Sequence, residues 1–262
     1  MGRRMRWSWV LALLVMLAFT ACSKDDDAGN GTPSFPAGNA PTVNGKYLMK
    51  VGPTNIQYNA EGQVAKVGNM GYSYEPKRII ISPNDQIYYL TNGLITECRY
   101  TVLTSLVENA LTVDVIHRYE YDVNGQLIKQ TRPSYDYTEE EKTLTTQYVW
   151  QNGNIVKIIH TGEELAQEST ISYTSYVNVL PHFSANADYG IDVYLEWQGY
   201  FGERCKNLPA SITTVNSSGY HSTCSFDYVI NDGLITKITE HTITTISGIS
   251  YTNSYEYDLE WW

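Results

Sequence analysis

Trp197, Tyr200 and Phe201 are the residues whose types and spacing most directly offer chemistry. Planar rings among Asn and Asp side chains can hold a sugar by stacking and hydrogen bonding. The trio falls in residues 178–208, a segment that interrupts an otherwise regular chain. Long loops on a rigid scaffold are where binding residues concentrate. Trp261 and Trp262 at the chain end form a second aromatic pair. The competing structural reading is that these rings cap the open end of a sheet core. Catalytic patterns are missing. His117, His160, His182, His221 and His241 show no metal-ligand spacing. No nucleophile elbow, P-loop or dinucleotide fingerprint occurs. Glu139–Glu141 and Glu163-Glu164 are charge runs expected in loops. A glycosidase needs two carboxylates at a set separation, and nothing in the sequence selects a pair. No catalytic residue, metal or cofactor is therefore expected.

Four cysteines complete the list: Cys22, Cys98, Cys205 and Cys224. None forms a C-x-x-C pair, so neither a zinc knuckle nor a thioredoxin-type site is indicated. Cys22 stands apart by its surroundings. Arg3, Arg4 and Arg6 give a positive start, Val10 to Phe19 is an unbroken apolar run, and small Ala21 precedes Cys22. This is the layout of a secretory signal peptide over residues 1–21. The run is shorter than the roughly 20 apolar residues of a spanning helix. A cysteine at the cut resembles the bacterial lipoprotein box, which implies that Cys22 is the first mature residue and carries acyl chains. The acidic run Ser23-Lys24-Asp25-Asp26-Asp27 resembles the export signal of surface lipoproteins in the Bacteroides group. An exported protein lives where one disulfide is permitted. Cys205 and Cys224 are the nearest pair in sequence, and free buried thiols are the other arrangement open to Cys98, Cys205 and Cys224.

Residues 22–41 are rich in Asp, Gly, Asn, Ser, Pro and Ala and read as a flexible tether. Removing residues 1–21 leaves 15 basic against 28 acidic side chains, a net charge of −13. Such a surface repels nucleic acid and anionic lipid heads. The expected partners are the membrane, through the N-terminal lipid, and a glycan or another envelope protein.

The elements that must position these residues are strands. Tyr is abundant at 22 and Phe scarce at 5, and Tyr, Thr, Ile and Val suit strands. From Thr42 onward an internal repeat runs: an aromatic or apolar strand, a turn ending in Gly, and a short apolar strand returning. The turn glycines are Gly62, Gly93, Gly125, Gly153 and Gly233, the first four spaced by 31, 32 and 28 residues and the last by 80. Asn92-Gly93, Asn124-Gly125, Asn152-Gly153 and Asp232-Gly233 accept positive φ at both central positions, as a type I′ hairpin requires. Before Gly125, Val113, Val115, His117, Tyr119, Tyr121 and Val123 alternate with Asp114, Arg118, Glu120 and Asp122, which makes His117 a packed residue. Tyr255, Tyr257, Leu259 and Trp261 alternate with Glu256, Asp258 and Glu260. One buried and one wet face describe an antiparallel sheet. The expectation over residues 42–262 is one all-β meander of about 12 to 14 strands, curled toward a barrel or half-barrel. A transmembrane barrel is disfavoured, because the outer face carries Asp, Glu and Lys where a lipid-facing band needs apolar residues.

Tyr119 to Lys129 (Tyr-x-Tyr-Asp-x-Asn-Gly-x-Leu-x-Lys) looks like the Tyr-Asp repeats of bacterial surface proteins. Behind such a signal, the repeat resembles a family of Bacteroides-group lipoproteins of unknown function. Ile171–Thr174, the segment ending Gly199-Tyr200-Phe201-Gly202, Lys206–Pro209 and Phe226–Tyr228 with Gly233–Lys237 carry the C-terminal part of the likeness. Val229-Ile230-Asn231 departs from the usual Tyr-Asp. The resemblance implies a porin-like curled sheet and no assigned activity. Three readings follow, in order: a non-enzymatic surface lipoprotein for binding or envelope structure, a glycan-binding module using Trp197, Tyr200 and Phe201, and a glycoside hydrolase.

Overall fold

The computed structural model describes residues 38–103, 112–133, 143–162, 166–178, 180 and 190–262. Cys22, the Glu139–Glu141 and Glu163-Glu164 runs and His182 lie outside the described residues. The strands are β1 (Leu48–Val51), β2 (Thr54–Tyr58), β3 (Val64–Val67), β4 (Met70–Glu75), β5 (Arg78–Ser82), β6 (Gln86–Thr91), β7 (Leu94–Leu103) and β8 (Thr112–Tyr121). They continue as β9 (Leu127–Pro133), β10 (Thr143–Gln151), β11 (Asn154–Thr161), β12 (Gln167–Val177), β13 (Asn207–Asn216), β14 (His221–Asn231), β15 (Leu234–Ile246) and β16 (Ile249–Trp261). Each pairs antiparallel with its sequence neighbours, and β1 pairs with β16 to close a barrel. Closure is sealed where Tyr47 and Trp262 exchange backbone hydrogen bonds.

The meander is the expected one, with 16 strands in place of 12 to 14. The additional strands come from the N-terminal wall, where β1 to β6 are only 4 to 6 residues long. Their turns at Gly52, Gly68 and Pro76-Lys77 lack the Asn-Gly mark, so the sequence runs neighbouring short strands together.

Successive antiparallel turns alternate between two rims. The turns holding Gly62, Gly93, Gly125, Gly153 and Gly233 therefore share one rim, together with the start of β1 and the end of β16. The β12–β13 connection starts from this same rim, called here the plug rim. Asn92, Asn152 and Asp232 have φ of 52°, 54° and 52°, each followed by a positive-φ Gly, as the type I′ geometry demands. Asn124-Gly125 differs: only Gly125 (φ 76°) is left-handed there. Asp122 Oδ1 instead accepts from the backbone N–H groups of Asn124 (2.9 Å) and Gln126 (2.8 Å), and Asn59 does the same for Glu61 and Gln63 before Gly62. A side-chain acceptor two residues upstream builds these two turns.

The excess of Tyr over Phe has a structural cause at this rim. Tyr74, Tyr121 and Tyr173 donate their hydroxyls to the carbonyls of Val64 (2.7 Å), Ile95 (2.6 Å) and Ile155 (2.5 Å) on the preceding strand. Trp150 and Trp261 donate indole N–H groups to Leu127 (2.8 Å) and Ile235 (2.7 Å) in the same way. Tyr58 to Leu48 and Tyr228 to Pro209 extend the series. Val64, Ile95, Leu127, Ile155 and Ile235 each stand opposite a register shift in their own hairpin. A bulge breaks the ladder and leaves backbone groups to be satisfied otherwise. An aromatic ring with a polar tip fills the interior and supplies the donor.

Residues 38–41, read in sequence as the end of the tether, belong to the domain. Gly38 N–H donates to Gln198 O and Ala40 N–H to Gly62 O, and Gly38, Ala40 and Pro41 are buried. The chain thus enters the barrel at the plug rim.

Candidate functional site

The connection between β12 and β13 turns into the barrel and fills its interior at the plug rim. Its described part is built around α1 (Val193–Trp197), a single turn capped by Asp192. Asp192 Oδ1 accepts from the N–H groups of Tyr194 and Leu195, both at 2.9 Å, and its other oxygen accepts from the Tyr72 hydroxyl of β4 at 2.9 Å. One carboxylate therefore starts the helix and ties it to the wall.

The plug meets the wall ring against ring. Tyr194 lies edge-on to Tyr72, Trp197 edge-on to Tyr58, and Tyr200 stacks on Tyr74 with centroids 5.9 Å apart. Phe201 is gripped edge-on by Tyr88 and Tyr119. Gln198 accepts from Val64 N–H at 3.0 Å and donates to Tyr74 Oη at 2.9 Å. Backbone bonds follow the rim: Ile95 N–H to Tyr200 O (2.8 Å), Glu203 N–H to Gly125 O (2.9 Å) and Lys206 N–H to Gly153 O (2.8 Å). The repeat glycines thus leave carbonyls that hold the plug. At Gly202 (φ +84°) a Cβ would stand 2.0 Å from Gly125 O, and at Gly190 (φ +91°) it would stand 2.6 Å from His117 Nδ1. Only glycine lets the plug backbone come this close.

Burial sets the electrostatics. It pushes the Asp192 carboxyl up to about 6, against the hydrogen bonds that favour its charged form. His117 is fully buried, its ring bridging Tyr100 Oη (3.1 Å) and Gln130 Nε2 (2.8 Å), with Tyr148 donating onward to Gln130 Oε1. Burial, with Arg132 adding to it, lowers His117 to about 4, so it is neutral and packed, as the strand alternation places it. Burial lowers the Arg204 guanidinium to about 10, with Glu196 opposing, and Arg204 donates to Leu180 O at 2.8 Å. Cys98, Cys205 and Cys224 are free thiols, and no Cys205–Cys224 bond forms. Burial raises Cys98 and Cys224 to about 12, which makes both unreactive.

The aromatic trio singled out in sequence is brought together and turned inward. Trp197, Tyr200 and Phe201 are 1%, 5% and 2% exposed, so none offers a ring face to a sugar in this arrangement. Trp261 is a rim donor, while Trp262 is 82% exposed. Sequence reasoning missed Asp192, Gln198 and Gly190, the residues that seat the plug. An Asp two residues before Tyr194 was a visible capping signal, but a single helical turn is too short for periodicity to reveal. Among the described residues, no three His, Cys, Asp or Glu side chains converge to hold a metal.

No family model matches the sequence, and no curated protein sequence matches it. Solved structures do. A porin-like protein from Bacteroides uniformis ATCC 8492 is similar over 80% of this chain and 90% of its own, with a TM-score of 0.60 at 14% identity. A porin-like protein from Bacteroides vulgatus ATCC 8482 is similar over 82% of this chain and 98% of its own, with a TM-score of 0.56 at 16% identity. At these identities the likeness establishes the fold. The porin-like sheet implied by the Tyr-Asp repeat is the architecture found.

Proposed function

We propose that this is a non-enzymatic lipoprotein of the bacterial outer membrane, anchored by acylated Cys22 and presenting a water-borne barrel for binding or envelope structure. The observation that carries this reading is the outer wall. Ion pairs run around it: Lys50–Glu260, Glu75–Arg78, Glu97 with Arg99 and Arg118, Glu120–Lys129, Lys157–Glu168 and Lys237–Glu256. Exposed pairs contribute little to stability, about 0–1 kcal/mol each. Their value here is diagnostic. Charged side chains disfavour a lipid-facing wall, and β1 to β6, at 4 to 6 residues, are shorter than the roughly 9–11 residues of a membrane-spanning strand, which together support a wall in water. Membrane attachment then has to come from elsewhere, and the signal-like stretch ending in Cys22 supplies it.

Geometry adds a direction. The described chain begins at the plug rim, so a tether from Cys22 joins the barrel at that rim. The inward packing of Trp197, Tyr200 and Phe201 gives no support to a glycan platform built on them. Metabolic labelling with a palmitate analogue, followed by protease treatment of intact cells, tests the proposal. Labelled protein that disappears on shaving, with both label and membrane retention lost in Cys22→Ala, is the expected result. An unlabelled protein, or one that stays in the membrane without Cys22, would overturn it.

A further inference from the structure

Glu240 lies on the inner face of β15, away from the plug contacts, and is 7% exposed. Its Oε1 accepts from Thr242 Oγ1 at 3.0 Å, and the Cys224 thiol also hydrogen-bonds the carboxyl. Its Oε2 is buried without a hydrogen-bond partner among the described residues, and so is the hydroxyl of Tyr257 on β16. Two orphaned polar atoms on neighbouring strands of one inner face call for a ligand or an ion that completes them.

The surroundings select its chemistry. Directly paired residues in an antiparallel sheet share a face. Glu240 is paired with Phe226 of β14 on one side and Tyr255 of β16 on the other. The carboxylate is therefore flanked by aromatic rings. Below it, toward the plug rim, Ile238 is fully buried; beside it, Tyr255 is 43% exposed. Among the described residues, no three His, Cys, Asp or Glu side chains converge here to hold a metal ion. A positive nitrogen fits better: its N–H groups satisfy oxygen acceptors, and its charge favours ring faces. The acidic molecule, with a net charge of −10 over the full sequence, draws cations to itself.

We propose that the inner face of β14–β16 binds an organic ammonium group, with Glu240 Oε2 and the Tyr257 hydroxyl as acceptors and Phe226 and Tyr255 as flanking rings. Burial raises the proton affinity of Glu240, and a cationic ligand beside it favours the ionised form. The proposal deepens the reading of the barrel as a binding protein and is independent of its anchor. Calorimetry on the full mature protein in a nonionic maltoside detergent tests it, with butylammonium and ethylammonium as probes. The neutral isostere butanol and calcium chloride are the controls.

Saturable heat with an ammonium probe, absent with butanol and calcium, is expected. Glu240→Gln keeps the shape and removes the charge, and should weaken binding by about tenfold or more. Tyr255→Leu, at a half-exposed position the fold tolerates, should weaken it by about threefold or more. An unchanged melting temperature in both variants confirms that the fold survives. No heat with either ammonium, equal heat with butanol, binding of calcium alone, or full affinity in Glu240→Gln would each overturn the proposal. Identical binding by the Cys22→Ala protein separates this result from the anchor's success or failure.

Discussion

The two ends of this barrel are made from the same residue types put to different use. At the plug rim, rings of Tyr and Trp are half-buried against the core, their polar tips are satisfied by carbonyls opposite bulges, and the inner face is filled by the chain itself. At the far rim, the β15–β16 hairpin carries Ile243, Ile246, Ile249 and Tyr251 at 45% to 59% exposure. Ile249 and Ile246 are directly paired there, yet no third layer among the described residues covers them. A β-branched residue in a strand is therefore no guide to burial in this fold. What decides is whether the plug, which enters from one end only, reaches that level of the wall. Among the described residues, the plug rim is thus the more fully packed half.

This contrast can be broken most sharply at Gly202. Gly202→Ala places a methyl against Gly125 O and forces a non-glycine residue into φ +84°, and should cost about 3 kcal/mol or more. Urea melts of the variant check it; an effect under about 1 kcal/mol would mean that the plug is loosely seated.

Asp192 gives the next largest effect, and its sign depends on pH. Its folded pKa of about 6 lies above the ordinary carboxylate value. The fold therefore takes up a proton, and stability falls as pH rises between about 4 and 6. His117 acts in the opposite sense. Its folded pKa of about 4 lies below the ordinary imidazole value, so stability falls as pH drops from about 6.5 toward 4. The two nearly offset each other in that window. Asp192→Asn keeps the helix cap and removes one of them. It should be more stable than the parent by about 2–3 kcal/mol at pH 8, equal to it at pH 4, and show a steeper acid loss. Melting temperatures across that range are the readout.

Tyr121→Phe removes a single donor from the Ile95 carbonyl and should cost about 1–2 kcal/mol. Chemical denaturation separates this from Ile249→Ser at the far rim, which should stay within about 0.5 kcal/mol because Ile249 is already 59% exposed. A large loss at Ile249 would erase the distinction between the two ends.

The sequence marks the wall better than the interior. Period-two alternation and Asn-Gly pairs are local signals, and they place β8, β16 and the turns at Gly93, Gly153 and Gly233 where the structure has them. Asn124-Gly125 shows the limit: the dipeptide predicts a type I′ turn, but Asp122 two residues upstream competes for the same N–H groups and wins. Closure of β1 on β16 joins residues at opposite ends of the chain, and no local pattern encodes it. Trp197, Tyr200 and Phe201 were legible as a break in the repeat. Their burial was not, because it depends on Tyr58, Tyr74, Tyr88 and Tyr119 arriving from four distant strands. Gly190 and Gly202 read as loop glycines until the atoms facing them are known.

Hydrogen exchange followed by mass spectrometry tests the central claim, that the chain plugs its own barrel, most directly. The account predicts that the amides of residues 190–207 exchange as slowly as those of β7 to β11, while the Ser247-Gly248 tip exchanges within seconds. Residues 190–207 exchanging as fast as that tip would mean that the segment is not seated inside the wall.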